Sequence, residues 1–262
     1  MSELPQETVA SDALIDSFQQ APPKQKELIT GILFQFADSQ LAGAAGYNTC
    51  LNWGPSLDDR IELSTIITEK LVMAQKTYAL LAEQSLNMDR YFSSHSFEAK
   101  VLRSADLGFR RASADKRLNA LLYPLESWVD MAVFAYLMSS MTCYTLSDFL
   151  HSNFVPLKEL AESCLQLEKG HEAFGENQLK KIAQSPANKI AIQSSLYYWY
   201  FRVATSFGPE DSARNDLYRQ YHLKAATNSQ LKDEWSKQVQ EFFAQLKIST
   251  PTMDQIDAAA CH

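Results

Sequence analysis

Residues 156–182 read PLKELAESCLQLEKGHEAFGENQLKKI, and their apolar positions recur at intervals of three and four: Leu157, Leu160, Ala161, Cys164, Gly175, Leu179 and Ile182. That is the period of one helical face, and Pro156 is acceptable in a first helical turn. Glu168 and His171 lie on the same stripe, so an E-x-x-H pair points inward from adjacent turns. Working outward, the same period recurs in residues 24–45, through Ile29, Ile32, Leu33, Phe36, Gln40 and Gly43. It recurs in a second helix opened by Asp58 and Asp59, with Leu63, Ile66, Lys70, Met73, Ala74, Thr77 and Leu81 on its stripe. A third helix follows Tyr123-Pro124, and no stretch alternates at two. The fold class expected is all-α, with four long helices in a bundle. A fifth helix over about 188–206 ends at Phe207-Gly208-Pro209, and two more, over about 212–226 and 229–246, complete the chain.

The composition agrees with long helices and few turns: 8 glycines and 9 prolines in 262 residues, both below ordinary usage. A net charge of −7 argues against nucleic acid as a partner. The start carries Glu3, Glu7 and Asp12 without an apolar run, which fits neither a signal nor a transit peptide, and a cytoplasmic location is expected. Cys50, Cys143, Cys164 and Cys261 show no close pairing, so reduced thiols are expected. Residues 131–147, MAVFAYLMSSMTCYTLS, hold 17 uncharged residues between Asp130 and Asp148. The run falls short of the ~20 residues of a membrane span and reads as a helix buried on all sides. Residues 1–23 and 248–262 are expected as mobile tails around a single helical domain, 24–247.

Polar side chains on apolar stripes are the informative departures, and there are five: Gln40, Lys70, Ser139, Glu168 and His171. An E-x-x-H pair facing inward is how di-iron bundles hold metal. The only basic cluster, Arg103, Arg110, Arg111, Lys116 and Arg117, lies in an irregular excursion over residues 87–122.

Tyr123-Pro124 with Ser127, Trp128 and Asp130, then Pro156, Glu168, His171 and Gly175, carry a resemblance extended by Phe207-Gly208-Pro209, Ser212-Ala213-Arg214, Lys224 and Thr227-Asn228. Over about residues 24–247 the chain resembles the ferritin-like catalytic subunit of phenylacetyl-CoA epoxidase, within the phenylacetic acid catabolic protein family. The resemblance implies a ferritin-like four-helix bundle with additional C-terminal helices. It also implies a di-iron ligand set of a carboxylate, E-x-x-H, a carboxylate and E-x-x-H on successive helices. Position by position, the first carboxylate falls on Gln40, the first E-x-x-H on Lys70 and Met73, and the second carboxylate on Ser139. Only Glu168 and His171 survive. A register shifted by one on the second helix would place Glu69 and Val72 there instead, still without a histidine.

A lysine ammonium ~5 Å from a divalent ion repels it by about 6 to 7 kcal/mol at an effective dielectric near 20. The expectation is therefore a Lys70–Glu168 ion pair filling a degenerate metal site, with Gln40, Ser139 and His171 completing its hydrogen bonds. No cofactor is expected, the alternative being iron on Glu168 and His171. As implied by the resemblance, the chain reads as a non-catalytic structural or regulatory subunit, partnered by a homologous ferritin-like subunit or by itself. Whether any enzyme activity remains is left open, and two alternatives stand beside that reading. One is an acyl-CoA oxygenase with a rearranged site recruiting Asp38 or Glu69. The other is an acyl-CoA binding module, for which the five basic residues of the excursion are the candidate contacts, since arginines pair bidentately with phosphates.

Overall fold

In the computed structural model, residues 13–110 and 113–251 are described. They form helices α1 (Pro23–Cys50), α2 (Leu57–Ala82), α3 (Met88–Ser93), α4 (Trp128–Phe149), α5 (Val155–Ile182), α6 (Pro186–Ala204), α7 (Ala213–Gln220) and α8 (Asn228–Gln245). The architecture is all-α. α1 packs along α2 and α4 along α5, α2 meets α5 across the bundle, and α6 and α8 cover α4.

Covered on these sides, α4 is buried without interruption from Met131 to Met141. This accounts for its uncharged run: among the described residues no helix is long and apolar enough to cross a membrane. Side-chain caps set several helix starts. Ser56 accepts the Asp59 N–H at α2, Ser127 the Asp130 N–H at α4, and Thr227 forms a reciprocal capping box with Gln230 at α8. α4 and α5 approach so closely at Gly175 that a Cβ there would lie 2.5 Å from the Tyr136 backbone nitrogen. Cys50, Cys143 and Cys164 are free thiols, all buried.

Four expectations change. α1 runs on to Cys50 instead of stopping at Ala45, because Tyr47 and Cys50 continue its buried face beyond Gly46. α7 ends at Gln220, well short of Ala226. His222 adopts a left-handed φ of 52°, and Asp148 Oδ1 accepts the N–H groups of Ala225 and Ala226, pulling that segment away from helix. Residues 13–22 are anchored instead of forming a free tail: Ile15 makes a parallel bridge to Phe154, and the ring of Phe18, 2% exposed, lies tilted 5.0 Å from the Phe154 ring. Ile248 and Pro251, expected in the C-terminal tail, are also buried. The rest of the two expected tails, 1–12 and 252–262, lies outside the described residues.

The excursion between α2 and α4 is tied down by buried carboxylates. Asp38 of α1, wholly buried, accepts the hydroxyls of Tyr78 (2.7 Å) and Tyr91 (2.6 Å) and the Lys116 N–H (2.6 Å). Asp115 pairs with Arg117 at 2.8 Å and with Lys100 at 2.9 Å.

Candidate functional site

The inward polar residues meet at the centre of the bundle. Lys70 Nζ of α2 donates to Glu168 Oε1 of α5 at 2.9 Å and to Gln40 Oε1 of α1 at 3.1 Å. Gln40 Nε2 donates to the same Glu168 oxygen at 3.1 Å, closing a triangle across three helices. Gly43, one turn beyond Gln40, leaves room for the lysine stem, since a Cβ there would sit 3.2 Å from Lys70 Cδ. His171 Nδ1 faces Glu168 Oε2 at 3.3 Å, and its Nε2 faces Glu69 Oε2 at 2.7 Å. Burial opposes ionisation of Glu168, but the adjoining Lys70 charge and His171 outweigh it and hold the carboxyl well below the usual carboxylate range.

The other expected members fall elsewhere. Ser139 is buried, yet its hydroxyl has no hydrogen-bond partner, so it neither completes the ion pair nor bonds back to its own helix. Met73 is wholly buried among apolar side chains with Leu33 and Cys164. Asp38 is spent on Tyr78 of α2 and on Tyr91 and the Lys116 N–H of the excursion. Glu69, named only for the shifted register and the rearranged site, does join the cluster, reaching across to His171 with its side chain one-third exposed.

These residues do not fit a di-iron centre. One Glu168 oxygen is shared by Lys70 and Gln40 and the other faces His171, whose second nitrogen faces Glu69. An ammonium stands where a cation would need free lone pairs. Among the described residues no group of three or more His, Cys, Asp or Glu is arranged to hold a metal ion.

Beside the ion pair opens a cavity of about 470 Å³. Lys70, Gln40 and Tyr47 line it at the ion pair, its inner end, and Leu121, Phe134, Met138 and Met141 give it an apolar wall. Ser206, Asn215, Lys224 and Arg214 line it as well, and Arg214, which lies against Gly31 nine residues before Gln40 on α1, marks its outer end. Among the described residues, two buried polar atoms at the outer end, Ser206 Oγ and Asn215 Oδ1, have no hydrogen-bond partner. Lys224, buried against Asp148 at 3.6 Å, is shifted below the ordinary lysine range by burial, which the carboxylate only partly offsets. Gly31 leaves space for the Arg214 guanidinium, whose Nη2 would lie 2.5 Å from a Cβ.

Of the five basic residues expected to contact a thioester, two are committed to the fold. Arg103 chelates Asp130 at 2.6 and 2.8 Å and lies 3.8 Å from the centre of the Tyr198 ring. Arg117 is buried on Asp115 and donates to the carbonyls of Ser96, Phe97 and Glu98. Arg110 is exposed and donates to the Asp106 carbonyl. Lys116 and Arg117 both line the cavity, and Arg111 lies outside the described residues. Two further cations of the lining, Arg214 and Lys224, come from α7 and the segment after it. Tyr47 was missed because the expected helix ended at residue 45; with α1 running on to Cys50, Gln40, Gly43 and Tyr47 share one face at i, i+3 and i+7. Ser206 and Asn215 carried no such signal.

The model of one family, described as phenylacetic acid catabolic protein, matches residues 5–260 of the chain. No curated protein matches it.

Proposed function

The chain belongs to the phenylacetic acid catabolic protein family, and from that premise we propose that it serves as a metal-free, non-catalytic structural or regulatory subunit of a cytoplasmic acyl-CoA oxygenase assembly. The observation that carries this reading is the Lys70 ammonium bonded to the one retained carboxylate, 2.9 Å from Glu168 Oε1. A partner with both E-x-x-H motifs intact would supply the oxygen chemistry, and this chain would support it as the second ferritin-like subunit. Anaerobic reconstitution with ferrous iron, followed by metal analysis, tests the reading. Iron far below one per chain is expected. Stoichiometric iron with an oxygen-sensitive spectrum would overturn it and restore the oxygenase alternative.

The cavity favours a second role for the same subunit, the binding of an acyl thioester. Arg214 and Lys224 at its outer end suit a phosphate-bearing head, and Ser206 and Asn215 there hold unsatisfied polar atoms. Calorimetry with coenzyme A should give saturable binding weakened at least severalfold by Arg214→Glu. Binding that this charge reversal leaves unchanged would remove the thioester role.

A further inference from the structure

The inner end of the cavity holds two polar hydrogens that none of the described residues accepts. Lys70 carries three N–H donors, and Gln40 and Glu168 accept two of them. Tyr47 is 2% exposed, and none of the described residues hydrogen-bonds its hydroxyl. Both side chains line the same end of the cavity, with Lys70 Nζ 5.8 Å from the centre of the Tyr47 ring. Buried donors without acceptors are costly, and donors that face a cavity are satisfied by what enters it.

The surroundings narrow the chemistry of the occupant. Leu121, Phe134 and Met138 give it an apolar wall. An anionic group would be set against Glu168, which already shares the Lys70 ammonium, whereas an uncharged oxygen meets no such repulsion. We infer that the degenerate metal site has become the recognition floor of the cavity: Lys70 and Tyr47 together select an apolar ligand whose innermost atom is an uncharged acceptor oxygen, a carbonyl above all. Tyr47 reads the oxygen through its O–H, and Lys70, held in place by Glu168 and Gln40, reads it through its remaining N–H. This rests on the cavity being a ligand site and does not depend on which headgroup fills the outer end.

Acetophenone and ethylbenzene are close in size and differ by a carbonyl in place of a methylene, so they isolate the oxygen. Transfer out of water by itself favours the hydrocarbon, because the ketone loses its hydration. With the full chain, calorimetry should show acetophenone binding at least about tenfold more tightly than ethylbenzene, and Tyr47→Phe should shrink that ratio by about three- to tenfold. The variant removes one oxygen atom, and circular dichroism checks that its fold is intact. Equal or tighter binding of ethylbenzene, a ratio unmoved by Tyr47→Phe, or no binding of either probe would overturn the inference. Coenzyme A alone separates the two ideas. A ketone preference without coenzyme A binding sinks the thioester role and leaves this one standing, and the reverse pattern sinks this one alone.

Discussion

Lys70→Met would leave the Glu168 carboxylate buried without its counter-charge, and the expected loss of stability is about 3–5 kcal/mol in urea denaturation. Replacing both partners by methionine should cost much less, because no charge then remains to be desolvated; equal losses for the single and double variants would show that the pair is not coupled. The same carboxylate sets an acid limit. Its folded value lies below its ordinary 4.5, so its contribution is complete above that pH and is lost progressively as the pH falls further. Asp59 acts in the same direction: burial opposes its ionisation, but Ser56, Gln178 and Lys181 hold it at about 2. Urea midpoints measured at successively lower pH should fall more gently in the Lys70, Glu168 double-methionine variant than in the parent chain. At this scale the sequence was informative where helical period applied, since Lys70, Gln40, Glu168 and His171 were all legible as inward. It named Glu69 only as an alternative at the site and Arg103 as a thioester contact, and it did not give Arg103 its partner, because Asp130 lies on another element and follows no local spacing.

Two glycines on α5 make opposite predictions from the same substitution. A Cβ at Gly175 would press on the Tyr136 backbone at 2.5 and 2.8 Å, whereas one at Gly170 meets nothing within 4 Å. Gly175→Ala should therefore destabilise by about 1–3 kcal/mol or more through forced separation of α4 and α5. Gly170→Ala should stabilise by about 0.5–1 kcal/mol through helix propensity alone. Thermal denaturation of the two variants reads both signs, and similar shifts would contradict the close approach of these helices. The long elements were legible because their stripes are long. The misread ends, at Cys50 and Gln220, are places where a tertiary contact overrides local sequence. At the first, Tyr47 and Cys50 carry the burial past a glycine. At the second, an aspartate 77 residues away captures two backbone N–H groups.

Across the whole molecule, segments without periodicity are held by a few point contacts. Phe18 fastens residues 13–22 onto the start of α5, and Phe18→Ala should cost about 3–5 kcal/mol if the segment is integral to the fold, measured by chemical denaturation. A change within about 0.5 kcal/mol of zero would mark the segment as a passenger. These anchors were not readable beforehand, because one aromatic ring in a polar stretch leaves no pattern. The thiols offer a different use of the same architecture. Cys50, Cys143 and Cys164 stand on α1, α4 and α5, and burial raises each above its ordinary range, Cys50 to about 12 and Cys164 to about 11. At neutral pH they are therefore protonated as well as inaccessible, and an alkylating reagent attacks the thiolate. Each becomes a clock that starts only when its own helix opens, so the order of alkylation would record the sequence in which the bundle comes apart.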